Sequence, residues 1–196
     1  MKTFCRVCFK EIEDSVLFKT CVCHECFSKL NVIEQRLDIL DCKAIVIYEY
    51  NEYFKSLLYQ YKGCYDYALK DVFLDRFVNE LRIKYSSYLV LFPPSNKEDD
   101  KIRGFNHVEE IASTLKLEYK KVFYKKRTFK QSDRPLHLRE KIKDDIDIYP
   151  NINLKGRKIL LIDDVVTSQN TIKTCILLLK KHQVKSIRVL ILAKKL

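Results

Sequence analysis

"KILLIDDVVTSQNT" occupies Lys158 to Thr171, and its reading decides the fold. Ile159 to Ile162 form a continuous apolar run that leads into Asp163 and Asp164. Hydroxyl and amide side chains follow at Thr167, Ser168, Gln169, Asn170 and Thr171. A short apolar run bounded by polar residues reads as a buried strand, and Ile172, Cys175, Ile176 and Leu179 then recur at helical spacing. The stretch is therefore a strand, a loop and the start of a helix. Free backbone N–H groups at a helix start make an anion site, and flanking hydroxyls add donors. Two carboxylates beside an anion repel it unless they accept hydrogen bonds from hydroxyl groups on the same ligand, as a sugar would offer. A helix cap accounts for one such acid, not two. An apolar strand ending in Asp-Asp also fits a Walker B element, but that reading needs a G-x-x-x-x-G-K-[ST] loop upstream, and the chain has none.

Working outward, "SIRVLILA" (Ser186 to Ala193), "YLVLFPP" (Tyr88 to Pro94) and "AIVIYEY" (Ala44 to Tyr50) read as further strands, the second stopped by its prolines. "LEYKKVFY" (Leu117 to Tyr124) reads as a strand as well. Val108, Ile111, Ala112 and Leu115 mark a helix with Asn106 at its N-cap. Leu69, Val72, Phe73, Phe77 and Leu81 predict a helix within Asp66 to Leu81, and residues 27–40 read as a short helix. Arg127 to Tyr149 is polar and takes no assignment. Strands alternating with helices predict an α/β fold, a mainly parallel sheet flanked by helices on both faces. In such sheets ligands sit at the carboxyl ends of the strands, where Asp163 and Asp164 lie.

Five of the eight cysteines fall within the first 26 residues. Cys5 with Cys8 and Cys23 with Cys26 form two C-x2-C knuckles separated by 14 residues, close to zinc-ribbon spacing. Each knuckle offers two thiolates on a tight turn, and two knuckles complete a tetrahedron around structural Zn²⁺. Cys21 and His24 are rival ligands at this stage. Cys42, Cys64 and Cys175 stand among apolar neighbours and read as ordinary buried thiols. The expected division is a four-cysteine zinc finger over residues 1–30 and one larger domain over residues 31–196.

With 47% hydrophobic residues the chain is globular, and no stretch approaches the ~18 to 20 apolar residues of a membrane span. "MKTFCRVCFK" is charged and lacks the apolar core of a secretory signal, so a cytoplasmic location is expected. The net charge of +11 points to a polyanionic partner or a phosphorylated ligand. Eleven basic and three acidic residues fall between Lys116 and Lys143, with Tyr119, Phe123, Tyr124 and Phe129 interleaved. Basic side chains follow a phosphodiester backbone and aromatic rings stack on unpaired bases. Lys120, Lys121, Tyr124, Lys125, Lys126, Arg127, Phe129 and Lys130 are thus candidates for binding single-stranded DNA. The competing reading is a solvated loop and a lysine-guarded edge strand.

Asp163 to Thr171 resembles the signature loop of type I phosphoribosyltransferases. That resemblance implies two acids contacting the ribose hydroxyls of phosphoribosyl pyrophosphate (PRPP) and a loop cradling its 5-phosphate. Further stretches are similar to the ComF family of late-competence, DNA-uptake proteins. They are the double knuckle, "LLYQYKG" (Leu57 to Gly63), Pro94 followed by Arg103-Gly104-Phe105-Asn106, and Gln131 with Arg139. The resemblance runs through the whole chain in the family's order. It implies that Arg103 and Gly104 meet the pyrophosphate, that the segment from Gln131 to Lys143 closes over the ligand, and that Mg²⁺ bridges ligand oxygens.

The chain departs from the family loop at two places. Ser168 stands where a second threonine is usual, and Gln169 stands at the glycine position. A left-handed glutamine there costs roughly 1 kcal/mol or more. The whole chain has only three glycines, so the loss is partly compositional. No side-chain set specifies a base. Two functions therefore compete. One is a DNA-uptake factor that handles incoming single strands alongside DNA-translocation proteins, with PRPP as a structural or regulatory ligand. The other is a working phosphoribosyltransferase with an unknown acceptor. No catalytic residue is assigned, and the oligomeric state stays open, a homo-oligomer included.

Overall fold

The computed structural model describes residues 2–12, 20–126, 146–166 and 169–195. Two short strands, β1 (Thr3–Phe4) and β2 (Glu11–Ile12), pair antiparallel, and α1 (His24–Ser28) follows. Residues 27–40, read as a helix, are mostly strand β3 (Val32–Ile39). The overlooked signal is a period of two: Ile33, Gln35, Leu37 and Ile39 turn inward while charged residues between them stay exposed. Leu40 and Asp41, both with positive φ, turn β3 back onto β4 (Cys42–Glu49) as a two-residue hairpin.

Helix α2 (Glu52–Gly63) was not anticipated. It starts on Asn51, whose side chain accepts from the Phe54 N–H at 2.8 Å. The predicted helix within Asp66 to Leu81 is a 3₁₀ turn (Tyr67–Asp71) and then α3 (Val78–Lys84). Leu69, Val72, Phe73 and Leu74 are all fully buried. Three consecutive buried residues exceed the face an α-helix can bury, and the tighter turns between them bury all three.

After β5 (Leu89–Leu91), helix α4 (Lys97–Arg103) has no buried residue and so no apolar periodicity by which to find it. Helix α5 (His107–Ser113) has the predicted Asn106 cap, which accepts from the Glu109 N–H at 2.9 Å. The strand expected over Leu117 to Tyr124 shrinks to a single bridge at Tyr119 and β6 (Phe123–Lys125). β6 pairs antiparallel with β7 (Ile146–Ile148). The chain closes with β8 (Lys158–Val166), α6 (Asn170–Lys181) and β9 (Ser186–Lys194).

The main sheet has the order β3-β4-β9-β8-β5, and every pairing after the first is parallel. Along β8 and β9, Leu160, Ile162, Leu190 and Leu192 face α2, α3 and α5. Ile159, Leu161, Val189 and Ile191 face α6 and the β6–β7 pair. This is the expected α/β architecture, with both faces covered. The cysteine knuckles join the first face: Cys5, Val22, Cys26 and Leu30 are buried with Tyr48, Phe54 and Phe73. Cys42 and Cys175 are buried as expected, whereas Cys64, just past the end of α2, is exposed. Among the described residues no helix is long and apolar enough to cross a membrane.

Candidate functional site

A cavity of about 340 Å³ opens at the carboxyl end of the sheet. Asp163, Asp164 and Val165 of β8 form one wall, with Thr171 at the start of α6. The segment after β5 supplies Pro93, Pro94, Ser95 and Asn96, and α4 supplies Asp99, Asp100 and Arg103. Asn106, His107, Lys62 and Lys125 complete the lining. The parallel strands thus bring the two acids, Arg103 and Thr171 into one place from distant parts of the chain. Thr167 and Ser168 lie outside the described residues, as do Arg127, Phe129, Lys130, Gln131 and Arg139.

Asp164 is buried and fully engaged. Its Oδ2 accepts from Lys62 Nζ at 2.7 Å and lies 3.1 Å from His107 Nε2, while its Oδ1 accepts from the Val165 N–H at 2.7 Å. Arg103 Nη1 lies 3.1 Å from His107 Nδ1. A guanidinium can only donate, so Nδ1 accepts and the ring's proton sits on Nε2, facing Asp164. The Arg103 Nε–H donates to the Lys62 carbonyl at 3.0 Å, and Nη1 also donates to Asp100 Oδ1 at 3.2 Å. Burial disfavours the charge on Asp164, but the bond from His107 and the Lys62 charge outweigh it and hold the carboxyl well below its usual range. Asp163 goes the other way: burial, then the neighbouring Asp164 charge, raise its carboxyl well above the usual range. The two neighbouring carboxyls are thus pushed in opposite directions.

Gly104 closes α4 in the left-handed conformation, φ 85°, and its N–H donates to the Asp100 carbonyl at 2.8 Å. An added Cβ would meet nothing there, so the glycine answers a backbone demand rather than a steric one. Gln169, just before α6, has φ 58°, the strained conformation expected at this glycine position. It is one of ten non-glycine residues with positive φ among the described residues, Phe9, Leu40 and Lys116 included. The chain builds left-handed turns without glycine throughout, so Gln169 does not single out this loop as degenerate. Asn106 Nδ2 donates to Ser95 Oγ at 2.7 Å and to Asp100 Oδ2 at 3.2 Å, which ties the Arg103 loop to the end of β5.

The four knuckle sulfurs of Cys5, Cys8, Cys23 and Cys26 lie within 4.8 Å of one another and could hold a metal ion. Sulfurs around a tetrahedral ion at about 2.3 Å stand about 3.8 Å apart, and those of Cys8 and Cys23 are 3.7 Å apart. The Cys5 thiol comes down to about 7, as backbone N–H groups of Cys23, Cys8 and Val7 outweigh its burial. Cys21 points elsewhere: its N–H donates to Asp75 Oδ1 at 2.9 Å, and burial together with Asp75 pushes its thiol up. His24 is not in the cluster. The sulfurs that come together are those of the two C-x2-C pairs.

The basic stretch is split. Lys120, Lys121, Lys125 and Lys126 are exposed, but Lys121 pairs with Glu109 at 2.6 Å and Lys126 with Asp147 at 2.9 Å. Phe123 is core. Tyr124 is half-buried and stacks on Tyr149, with centroids 4.8 Å apart and planes at 29°. Lys125 reaches the acid cavity.

The phosphoribosyl transferase domain family matches residues 102–196, the part holding the Arg103 loop, both acids and α6. The competence protein ComFC of Streptococcus pneumoniae (strain ATCC BAA-255 / R6) is 28% identical over 143 residues, covering 72% of this chain and 64% of that protein. Residues 102–196 are thus similar to phosphoribosyl transferase domains, and 143 residues of the chain are similar to ComFC. The match spans less than two thirds of the relative's own length. Among solved structures, a purine phosphoribosyltransferase from Pyrococcus horikoshii Ot3 is similar at 17% identity and TM-score 0.39, over 65% of this chain and 73% of that one. A hypoxanthine phosphoribosyltransferase from Staphylococcus aureus gives 11% identity and TM-score 0.39, over 62% and 61%.

Lys62 and His107, the two side chains that hold Asp164, are residues that the sequence reading missed. Lys62 sits inside "LLYQYKG", quoted for its resemblance, and His107 follows "RGFN" directly. The usable signal was chemical: two adjacent acids at the end of a buried strand need a cation. Nothing in the linear pattern chose Lys62 from 37 Lys and Arg residues, because α2 meets β8 only in the fold.

Proposed function

We propose that this protein is a DNA-uptake factor of natural transformation that binds PRPP, or a related phosphoribosyl ligand, in the acid cavity and single-stranded DNA on its basic surface. The competence part rests on the ComFC relative. One observation carries the ligand reading: the adjacent acids of β8, the start of α6 and the Arg103 loop line a single cavity at the carboxyl end of a parallel sheet. In this reading Asp163 and Asp164 accept from ribose hydroxyls, and Thr167, Ser168, Gln169, Asn170 and Thr171 surround the 5-phosphate. Arg103, at the Gly104 turn, meets the pyrophosphate, and Lys62 is near enough to share that task. Mg²⁺ is held mainly by ligand oxygens.

Cys5, Cys8, Cys23 and Cys26 hold structural zinc, which makes residues 1–30 a finger beside a phosphoribosyltransferase-like domain over residues 31–196. DNA lies along Lys120, Lys121, Tyr124, Lys125 and Lys126, and onward to Arg127, Phe129 and Lys130. The protein works on the cytoplasmic side with DNA-translocation proteins. Gel shifts over a salt series test the DNA surface. Neutralising Lys120 and Lys125 together weakens binding and flattens its salt dependence, whereas Tyr124→Leu removes mainly the preference for single strands. Unchanged binding by both variants places the surface elsewhere.

A second reading, a working phosphoribosyltransferase with an unknown acceptor, is favoured by one observation: the turn at residue 169 keeps the glycine-type conformation although glutamine occupies it. Pyrophosphate release from PRPP across a panel of acceptors separates the two readings.

A further inference from the structure

A second and larger cavity, about 500 Å³, lies along the outer face of α2. Glu52, Lys55, Ser56, Tyr59, Lys62 and Gly63 line it from that helix. Tyr50 stands opposite, fixed where β4 ends by its N–H bond to the Lys194 carbonyl at 2.9 Å and by edge contact with Phe54. The two cavities share Lys62. Nothing above uses this second cavity.

Gly63 bears on how the ring of Tyr59 sits in it. Of the three glycines in the chain, Gly104 and Gly156 have positive φ and open space where a side chain would go. Gly63 has neither. It is the last residue of α2, and a Cβ there would lie 2.8 Å from the ring of Tyr59, one turn earlier. A chain that places leucine, phenylalanine and lysine at positive φ nonetheless keeps glycine at a helical position. What the glycine provides is room for the Tyr59 ring. That ring is 66% exposed, so core packing does not explain its placement. It is an aromatic face held towards solvent, with Lys55 on one side and Lys62 on the other.

We infer that this cavity takes an unpaired nucleobase stacked on Tyr59, with the phosphate of the same nucleotide against Lys55. The inference deepens the phosphoribosyl reading and rests on it for the neighbour that Lys62 shares. A planar ring suits a flat aromatic face flanked by cations, and stacking needs no base-specific hydrogen bonds. That agrees with the lack of a side-chain set selecting one base. The base arrives either as a free acceptor nucleoside or within a single strand, and the shared chemistry is the stack.

The probe is 2-aminopurine, whose fluorescence is quenched on stacking. One arm uses the free riboside and the other a single-stranded oligonucleotide carrying one 2-aminopurine, with calorimetric PRPP affinity measured on the same samples. Wild-type protein quenches the probe in at least one arm, and that arm identifies the source. Tyr59→Leu weakens probe binding about tenfold, the change expected from one lost stack, and leaves PRPP affinity as it was. Gly63→Ala keeps the tyrosine but moves its ring, and weakens probe binding in the same direction. Absence of quenching by the wild type in both arms, or quenching by Tyr59→Leu equal to the wild type, overturns the inference even where PRPP binds. Quenching that depends on Tyr59 in a protein that does not bind PRPP upholds the stack and removes the phosphoribosyl reading instead.

Discussion

The cysteine cluster and the acid cavity are both gatherings of side chains that would repel one another if all were charged, and the chain handles them in opposite ways. In the cluster, four like groups from two short turns face a common centre. In the proposed reading a zinc ion completes that arrangement. In the cavity, Lys62 and His107 hold Asp164, and burial with the Asp164 charge raises the Asp163 carboxyl. As proposed, the first arrangement is a closed structural metal site. The second is balanced without a ligand, yet lined by groups that can exchange one another for a ligand's hydroxyls and phosphates. On the proposed reading, the difference separates a site that needs its ion to fold from one that folds first and binds afterwards.

The largest expected effect is therefore at the cluster. Cys5 and Cys26 are buried in the same core as Tyr48 and Phe54, so losing the metal disturbs the main domain as well as the turns. Cys8→Ser, or a strong chelator, is expected to release one equivalent of zinc and lower Tm by about 10 °C or more. Metal analysis with a thermal scan checks this, and full retention of both metal and Tm by Cys8→Ser breaks the comparison.

Next comes the Asp164 network. Lys62→Met leaves a buried carboxylate with only His107 and is expected to cost about 2 kcal/mol, less than a fully buried pair because the lysine is a third exposed. Urea unfolding at pH 7 measures it. Loss of PRPP binding without loss of stability would make Lys62 a ligand group rather than a partner of Asp164.

The two acids also predict opposite pH dependence. Asp164 has a lowered carboxyl pKa, so its contribution is present above the ordinary carboxyl value and lost as pH falls through the lowered one. Asp163 has a raised one. Between the ordinary and raised values the folded state holds more protons than the unfolded state, so stability falls as pH rises. Asp163→Asn is expected to remove that fall and to raise Tm at neutral pH. Tm profiles of the variant and the wild type that stay parallel from pH 4 to 8 would contradict it.

The smallest effect is at the loop. Gln169→Gly relieves a left-handed glutamine and is expected to change stability by about 1 kcal/mol or less, since the added chain freedom offsets part of the strain. Urea unfolding decides this, and a loss above 2 kcal/mol would mean that the glutamine side chain packs usefully.

What the sequence made legible follows the same division. The knuckles were readable because their ligands are neighbours in the chain and their spacing is the chemistry. The strands β4, β5, β8 and β9 were readable because each is buried on both faces and nearly all apolar. β3 was misread because only one of its faces is covered, and its alternation of Ile33, Gln35, Leu37 and Ile39 includes a polar residue. α4 was invisible because nothing on it is buried. In the cavity, Asp163, Asp164 and Arg103 could be named from local motifs, whereas the partners of Asp164 come from α2 and α5, brought together only by packing on the sheet.

The most direct measurement of the central claim is calorimetric titration of PRPP with Mg²⁺ into the wild type and into Asp164→Asn, with a thermal scan of each. The account predicts saturable binding by the wild type and a loss of at least about tenfold in the variant, one charge-assisted hydrogen bond's worth, with the fold retained. Equal binding by the two proteins, or no binding by the wild type, would contradict it.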